Sequence, residues 1–501
     1  MEYVPNLLDP HEPEATASAA PLFARIAQAI AEDIRRGRLR PGRRLPGSRQ
    51  LALSLGVHRN TALAAYTELE RQGYIVTRRA RGTFVAEALP EVRPRKLRPS
   101  AARHHDSVLS LPPWPKALIP RLPEQPRFSA KSLPLLAGMP DPRLMPRGAL
   151  SRAYRRVLAR EPDVLNYASP QGHPRLVRAL CEQLRTTRGV LASENEIVIT
   201  RGTQMAAFMA ALALCSPGDR IAVEALGYPP VWQAFRLAGA ELVAVPVDGA
   251  GMRVDKLEAL LQTSKIRAVY VTPHHQYPTT VSMTAARRLQ LLALAERHGF
   301  AILEDDYDHE FHWSGRPLLP IASVANAKCV VYLGTLAKVL APGLRIGYMV
   351  APEHVVERIL ALRRFIDRQG DHAVEAAVAE LIEDGEFDRH AKRTRRAYLE
   401  RRETLIEGLK REFGERLHYD LPHGGLGLWL RADLPMGAQR FTELAAEQQV
   451  HLQHGGQFSF DGRASEFLRV GFPRLNQTEI ERALRILGQI AKSSSPRQKL
   501  A

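Results

Sequence analysis

A lysine, an aspartate and a tyrosine lie just beyond short apolar runs in the second half of this sequence. Lys338 follows the run Val330–Leu333, and Asp305 and Tyr307 follow the run Ala301–Glu304. If both runs are parallel strands, these side chains meet at the carboxyl edge of one sheet, where ligands bind. Pyridoxal phosphate needs an amine for its Schiff base, a carboxylate for its pyridine nitrogen and a hydroxyl near its ring oxygen. The three residues together predict a pyridoxal-phosphate site.

Candidates for the remaining parts of such a site follow two other apolar runs. Gly202-Thr203-Gln204 opens a long apolar helix after the run Glu196–Thr200. A helix start offers free N–H groups and a positive dipole end to phosphate. Tyr228, after a further run, is placed to stack on a ring. Each residue alone has an ordinary structural explanation, as a surface lysine, a helix cap, a turn or a core tyrosine. Their joint occurrence at successive strand ends favours a cofactor site.

The elements that must position these residues are strands alternating with helices. Five short apolar runs are separated by helical stretches, which predicts a largely parallel sheet with crossover helices. The runs are Glu196–Thr200, Arg220–Glu224, Ala268–Thr272, Ala301–Glu304 and Val330–Leu333.

The composition excludes several classes of protein. A chain of 501 residues with 45% apolar and 25% charged residues predicts two or more soluble globular domains. The longest apolar stretch, Gln204–Cys215, is too short to span a bilayer, and Met1–Ala20 lacks the order of a signal peptide. The three cysteines lie far apart, which favours a reducing compartment and argues against a zinc site. We therefore expect a cytoplasmic protein with no membrane partner and no metal.

The positive charge is concentrated near the N-terminus. Residues 21–100 contain 17 Arg or Lys against 6 Asp or Glu, within a chain of net charge +17. Such a local excess suits a phosphate backbone, although a solvated basic face has the same composition. Ten prolines between Ala88 and Pro134 predict an extended linker after this segment.

The pattern inside the basic segment predicts three helices and a hairpin. Leu22, Ile26, Ile30 and Ile34 form one apolar stripe, which predicts the first helix. Ser48 is expected to cap a second helix, and Gly56 permits a tight turn before a third helix over about 58–72. Two short strands follow, over 74–79 and 83–86. Polar residues at the start of the third helix and arginines at the hairpin tip are the candidate DNA contacts: His58, Arg59, Asn60, Thr61, Arg78, Arg79 and Arg81.

Residues 21–87 resemble the winged helix-turn-helix of the GntR family of bacterial regulators. The resemblance rests on many positions at fixed spacing: Leu45-Pro46, Ser48-Arg49, Leu51-Ala52, Leu55-Gly56-Val57, Arg59, Thr61, Ala65-Tyr66, Leu69, Gly73 and Gly82-Thr83-Phe84-Val85. Gly47 and His58 depart from the family pattern. The resemblance implies binding to double-stranded operator DNA, with Arg49 as a further contact.

From Pro134 to about Ile490 the chain resembles the fold-type I aminotransferases. The matching segments are Asn166–Gly172, Asp305-Asp306-Tyr307, Thr335-Leu336-Ala337-Lys338 and Pro342–Tyr348. The resemblance implies Lys338 as the Schiff-base lysine, with Asp305 on the pyridine nitrogen and Tyr307 on the ring oxygen. It also implies Thr335 and Arg345 on the phosphate, Tyr167 lent by a neighbouring subunit, and Arg469 on the α-carboxylate of a ligand.

One segment departs from the aminotransferase pattern. Where those enzymes carry Asn-Pro-Thr-Gly, this chain reads His275-Gln276-Tyr277-Pro278-Thr279-Thr280. This version is typical of the MocR subgroup of GntR regulators, in which a linker joins a winged helix to an aminotransferase-like domain. The resemblance implies a winged helix-turn-helix at 18–88, a linker at 89–133 and a fold-type I α/β domain at 134–495, with a small α+β subdomain from about 370.

Two functions follow from this organisation. The first is a dimeric, head-to-tail transcriptional regulator that senses an amino compound, or pyridoxal phosphate itself. The second is a working aminotransferase with an accessory DNA-binding domain. A DNA-binding protein with a dead dimerisation domain is disfavoured, because Lys338, Asp305, Tyr307 and Arg345 are all retained.

Overall fold

The computed structural model describes residues 21–90, 128–313, 318–324 and 328–493. The chain divides into two compact units. The linker predicted at 89–133 lies, apart from its ends, outside the described residues, and the three domain boundaries stay predictions.

The first unit is a small helical domain with a hairpin. Its elements are helices α1 (Leu22–Arg35), α2 (Ser48–Leu55) and α3 (Arg59–Arg71), then strands β1 (Ile75–Arg78) and β2 (Gly82–Val85). Helix α1 packs on α3 through the predicted apolar stripe, in which Ile26, Ile30 and Ile34 are buried. Leu22 at the start of the stripe is exposed, because it lies in the first turn, beyond the helices that cover the rest.

Two details of this unit differ from the sequence predictions. Ser48 does not cap α2: Gly47 is the capping residue, and Ser48 is already helical. Helix α3 begins at Arg59 because His58 caps it, its ring Nδ1 accepting a hydrogen bond from the Asn60 N–H at 3.3 Å. An imidazole thus takes the capping role usually filled by a short hydroxyl or amide side chain.

The second unit is an α/β domain with a small sheet near its C-terminal end. Its helices are α4 (Arg147–Arg160), α5 (Pro174–Arg188), α6 (Thr203–Leu214), α7 (Pro229–Leu237), α8 (Val254–Leu261), α9 (Ala285–His298), α10 (Glu353–Ile366), α11 (His372–Glu383), α12 (Glu386–Phe413), α13 (Gly437–Glu447) and α14 (Gln477–Ser493). Its longer strands are β4 (Ile197–Thr200), β5 (Arg220–Glu224), β6 (Glu241–Val245), β9 (Ala268–Val271), β10 (Ala301–Asp306), β11 (Val330–Thr335), β12 (Gly347–Val350), β14 (Gly427–Ala432) and β17 (Phe467–Gly471). The two-residue strands are β3 (Leu133–Pro134), β7 (Val247–Asp248), β8 (Gly251–Met252), β13 (Leu417–His418), β15 (Val450–His451) and β16 (Gln453–His454).

The central sheet has the strand order β4-β12-β11-β10-β9-β5-β6. Strand β12 runs antiparallel to both of its neighbours, and the other strands run parallel. This confirms the expected fold class, a largely parallel sheet with helices between its strands. Strands β9, β10 and β11 are nearly all buried because helices cover both faces of the sheet.

A second sheet of order β13-β14-β17-β16 is antiparallel, and helices α12, α13 and α14 pack near it. Its longest strand pair, β14 with β17, brings Trp429 opposite Arg469. Among the described residues, no helix is long and apolar enough to cross a membrane.

The apolar stripe of α1 gives a stability prediction. Ile30 is fully buried between helices, so Ile30→Ala should lower the free energy of unfolding of the first unit by about 2–5 kcal/mol. Leu53→Ala is the matched control, because Leu53 is 83% exposed and its truncation should change stability by only about 0.5 kcal/mol. Urea-induced loss of DNA binding measures both. Equal midpoints for the two variants would contradict this packing of α1.

Candidate cofactor site and nucleic-acid interface

Lys338 lies just beyond β11, at the carboxyl edge of the central sheet. Its Nζ donates a hydrogen bond to the backbone oxygen of Gly138 at 2.7 Å. Burial lowers the pKa of Lys338 to about 8, although Asp308 and Asp305 oppose this shift. The amine therefore loses its proton more readily than a surface lysine, as a nucleophilic amine must.

Asp305 is the penultimate residue of β10, at the same edge of the sheet, and is 5% exposed. Its Oδ2 accepts a hydrogen bond from the Tyr270 hydroxyl at 2.7 Å, while Oδ1 has no partner in the part of the chain that the structure describes. Burial raises the pKa of Asp305 to about 7. A buried carboxylate with one free oxygen is suited to receive a protonated ring nitrogen.

Tyr307 and its neighbours form a hydrogen-bonded layer beside Asp305. The Tyr307 hydroxyl donates to the backbone oxygen of His275 at 3.0 Å, and burial raises its pKa well above the ordinary value. The ring Nδ1 of His275 lies 2.6 Å from Oδ1 of Asp308. These contacts fix the tyrosine side chain, and its role on the ring oxygen stays a prediction.

The predicted phosphate residues converge at the start of α6. Gly202 precedes this helix with φ +85°, and a Cβ there would lie 3.0 Å from Nη2 of Arg345. Arg345 itself has φ +53° and donates from Nη2 to the backbone oxygen of Arg201 at 2.8 Å. The positive φ favours glycine at 202, and the Arg345 guanidinium lies close to the helix start. The positive helix end and a cation then face the same point.

The other predicted phosphate residues occupy different positions around this point. Thr203 and Gln204 form the first turn of α6, where Thr203 is half-buried and Gln204 is exposed. Thr335 is buried at the end of β11, and its hydroxyl donates to the Ile346 oxygen at 3.3 Å and accepts from the Ala337 N–H at 3.1 Å.

Arg469 is 1% exposed, on β17. Its guanidinium carbon lies 3.8 Å from the centre of the Tyr277 ring and 5.8 Å from that of Phe458. Its Nε and Nη1 have no hydrogen-bond partner among the described residues. Tyr277 also contacts Tyr228, with 5.1 Å between ring centres. The tyrosine that replaces the aminotransferase asparagine thus shields a buried arginine.

Tyr167 is placed differently from the rest of the predicted set. It is 76% exposed, and the Arg368 guanidinium lies over its ring at 4.1 Å from the ring centre. A residue that is lent to a neighbouring subunit must be accessible in this way, and its role stays a prediction.

These residues fit pyridoxal phosphate. Within the described ranges, one buried carboxylate oxygen of Asp305 and two buried guanidinium nitrogens of Arg469 have no hydrogen-bond partner. Unpaired buried polar groups are costly, and a cationic ring nitrogen and a carboxylate are the groups that would pair with them. Lys338 and the helix start at Gly202 supply the amine and the phosphate cradle.

The first unit presents the predicted DNA contacts on its surface. All are exposed except Thr61, which is half-buried: Arg49, His58, Arg59, Asn60, Thr61, Arg78, Arg79 and Arg81. Arg78 is less available than its neighbours, because its guanidinium lies 3.5 Å from Glu87 and 5.5 Å from the centre of the Phe84 ring.

Sequence reasoning missed four residues that the structure brings to these sites. Gly138 and Tyr270 hold Lys338 and Asp305, but a glycine and a strand tyrosine give no signal of their own. His275 was noticed only as a family motif. Arg44 lies against the hairpin, paired with Phe84 in an isolated β-bridge, and only the local run of arginines pointed to it.

Comparison with known proteins agrees with this architecture. Residues 141–487 match the family "Aminotransferase class I and II", and residues 22–85 match "Bacterial regulatory proteins, gntR family". The chain is 32% identical over 418 residues to "Probable rhizopine catabolism regulatory protein MocR" of Rhizobium meliloti, covering 82% of each chain. It is 33% identical over 410 residues to the HTH-type transcriptional regulator TauR of Rhodobacter capsulatus, covering 81% of this chain and 83% of TauR.

The chain belongs to the MocR-type regulators of the GntR family. Its second unit superimposes on the multiple substrate aminotransferase of Thermococcus profundus with a TM-score of 0.68 and 28% identity, over 73% of this chain and 92% of the enzyme. A similar match, with a TM-score of 0.67 and 28% identity, is to LysN of Thermus thermophilus in complex with N-(5'-phosphopyridoxyl)-L-leucine, over 73% of this chain and 93% of LysN. The cofactor of this MocR-type protein is accordingly pyridoxal phosphate, and its GntR domain binds DNA.

The position of Lys338 gives a covalent test. Borohydride reduction of the yellow purified protein should fix the cofactor onto Lys338, because this amine lies at the sheet edge with a lowered pKa. Tryptic mass spectrometry locates the modified lysine. Lys410→Ala is the control: Lys410 is an exposed residue of α12, and its replacement should leave the labelled peptide unchanged. A label on any other lysine would show that the site is assigned wrongly.

The exposed hairpin tip gives a test of DNA contact. The slope of log affinity against log salt is about −0.9 per phosphate contact. If Arg81 neutralises one phosphate, Arg81→Ala should therefore make this slope less negative by about 1. Arg71→Ala is the matched control, since Glu68 already pairs with Arg71 at 2.7 Å. Fluorescence anisotropy at several salt concentrations measures the slopes. An unchanged slope for Arg81→Ala would remove the hairpin tip from the interface.

Proposed function

We propose that this regulator senses an amino acid at the Lys338 site and converts occupancy of that site into a change in operator affinity. The observation that carries the proposal is the buried Arg469 guanidinium, whose Nε and Nη1 have no partner in the described part of the chain. An α-carboxylate would supply one of these missing acceptors in a bidentate contact, side-on through Nε and Nη2 or end-on through Nη1 and Nη2.

The rest of the site supports an amino group beside that carboxylate. Pyridoxal phosphate, when bound, supplies the carbonyl chemistry that captures amines. Lys338 releases and accepts a proton at Nζ near neutral pH because burial lowers its pKa. Asp305 holds the ring nitrogen charged, and Tyr277 with Phe458 keeps water from the Arg469 guanidinium. A ligand with both an amine and a carboxylate satisfies more of these groups than a simple amine does.

Coupling to DNA requires that the ligand prefer one arrangement of the protein. A ligand shifts a conformational equilibrium only by its difference in affinity for the two states. We propose that the two states differ within a homodimer, arranged head-to-tail, in which the exposed Tyr167 of one subunit reaches the neighbouring site. The coupling free energy is expected in the usual range of about 1–3 kcal/mol.

Two other readings become outcomes of the same experiment. Pyridoxal phosphate itself as the signal would need Lys338 but not Arg469. The second alternative is an aminotransferase with an accessory DNA-binding domain. Its support is the 30% identity over 366 residues to "Aromatic-amino-acid aminotransferase 1" of Thermococcus litoralis.

The proposal predicts different responses for two site variants. Operator affinity of the wild type should change about 5- to 150-fold with the right amino acid. Lys338→Ala should bind DNA but lose all response, because its amine holds the cofactor. Arg469→Gln should keep a response to pyridoxal phosphate while losing the response to amino acids. Gel-shift titration with pyridoxal phosphate and a panel of amino acids and decarboxylated amines measures this.

The matched control is Arg463→Gln, since Arg463 is exposed and its guanidinium pairs with Asp461. It should respond as the wild type does. An amino-acid response that survives in Lys338→Ala would end the sensor proposal. If pyridoxal phosphate alone shifts operator affinity equally in the wild type and Arg469→Gln, and amino acids add no further shift in either protein, the cofactor is the signal. Rapid turnover of amino acids without any operator binding would favour the enzyme.

A further inference from the structure

A second cluster of ionisable side chains lies behind the cofactor site, on the opposite side of β10. Successive residues of a strand point to opposite faces, so Asp305 and Asp306 face different layers. Asp306 meets His274 and His309, and one nitrogen or oxygen of each residue lies within 4.8 Å of those of the other two. Two imidazoles and a carboxylate at this separation are a common ligand set of divalent transition metals.

The three side chains are buried. Exposure is 5% for His274, 2% for Asp306 and 5% for His309. Ionisable groups buried in this way are usually paired with one another or coordinate a metal.

Two atoms of this cluster lack partners. Nδ1 of His274 and Oδ1 of Asp306 are buried, and neither has a hydrogen bond within the described ranges. The other carboxylate oxygen, Oδ2, is shared by the Tyr332 hydroxyl at 2.6 Å and Nδ1 of His309 at 3.0 Å. Buried polar atoms are seldom left unpaired, and an unplaced ion is one of the few explanations.

The surrounding charge permits a cation. Two buried arginines, Arg188 and Arg288, lie near the cluster. Arg188 is 4.0 Å from Oδ2 of Asp306, but its closest carboxylate partner is Glu310 at 2.5 Å. Arg288 donates to backbone oxygens, including that of Pro273, rather than to Asp306. The Arg188 charge is thus matched by Glu310, and the Asp306 carboxylate is left to balance an added ion.

We propose that His274, Asp306 and His309 form a binding site for a divalent transition-metal ion of the zinc type. Three protein ligands leave one tetrahedral position for water. The ion would join the segment before the His-Gln-Tyr motif to the end of β10. Asp305 and Tyr307 flank Asp306 in the chain, so an ion bound to Asp306 would restrain the positions of both residues.

Metal analysis of the full-length protein tests this proposal. After removal of adventitious metal with a chelator, wild type dialysed against zinc chloride should retain one zinc per chain. His274→Ala and His309→Ala should each bind zinc at least about tenfold more weakly. His451→Ala is the matched control, because Nε2 of His451 is also buried without a partner among the described residues but lies outside the cluster. It should bind zinc as the wild type does.

Two further measurements keep the result clear. Zinc should raise the melting temperature of the wild type and His451→Ala but not of the cluster variants, since a ligand stabilises only the state that it binds. His309→Gln and Asp306→Asn serve if an alanine variant fails to fold, as judged by circular dichroism. Lys338→Ala should still bind the ion, which excludes chelation by the cofactor. A wild type without stoichiometric zinc, or cluster variants with wild-type affinity, would overturn the proposal.

Discussion

The alternation of side chains along one buried strand organises the second unit. Strand β10 pairs in parallel with β9 on one side and β11 on the other, so its backbone cannot shift without breaking both ladders. Asp305 then lies beside Tyr270 on one face, and Asp306 lies beside His309 and Tyr332 on the other. Two consecutive carboxylates are held in separate environments by the pleat alone.

This separation explains the opposite electrostatics of the two aspartates. Asp305 accepts a hydrogen bond from one neutral hydroxyl, and burial raises its pKa to about 7. Asp306 faces two histidines and Arg188, which hold its pKa well below the ordinary value. A buried carboxylate is suited to a cationic partner, and we predict that the ring nitrogen of pyridoxal phosphate is the partner of Asp305.

The proposed sensing role also depends on a buried group whose hydrogen-bond partner a ligand would supply. Arg469 is buried, two of its nitrogens have no partner among the described residues, and the rings of Tyr277 and Phe458 lie close to its guanidinium. Cation–π contact offsets part of the cost of burying the charge, but it supplies no hydrogen-bond acceptor. Such an arrangement suits a regulator, because binding of a carboxylate would give a large free-energy difference between the ligand-free and ligand-bound states.

The sequence alone determined the elements and the chemistry that they carry. Short apolar runs predicted β5 with its observed bounds and β4, β9, β10 and β11 within one or two residues, whereas β6 and β12 of the same sheet were not predicted. Motif spacing predicted Lys338 and Asp305 at one sheet edge, and the helix stripe predicted the packing of α1. These are local patterns, set by the period of a strand or a helix.

Only the tertiary structure decided which distant residues complete the sites. Tyr270 reaches Asp305 across adjacent strands, and Gly138 reaches Lys338 from 200 residues away. His274 and Asp306 come together because β9 and β10 are neighbours in the sheet. Gly47, not Ser48, precedes the first residue of α2, and His58 caps α3, because the backbone and not the residue type decides where a helix begins. Contacts between segments far apart in sequence have no period, so a single sequence does not contain their signal.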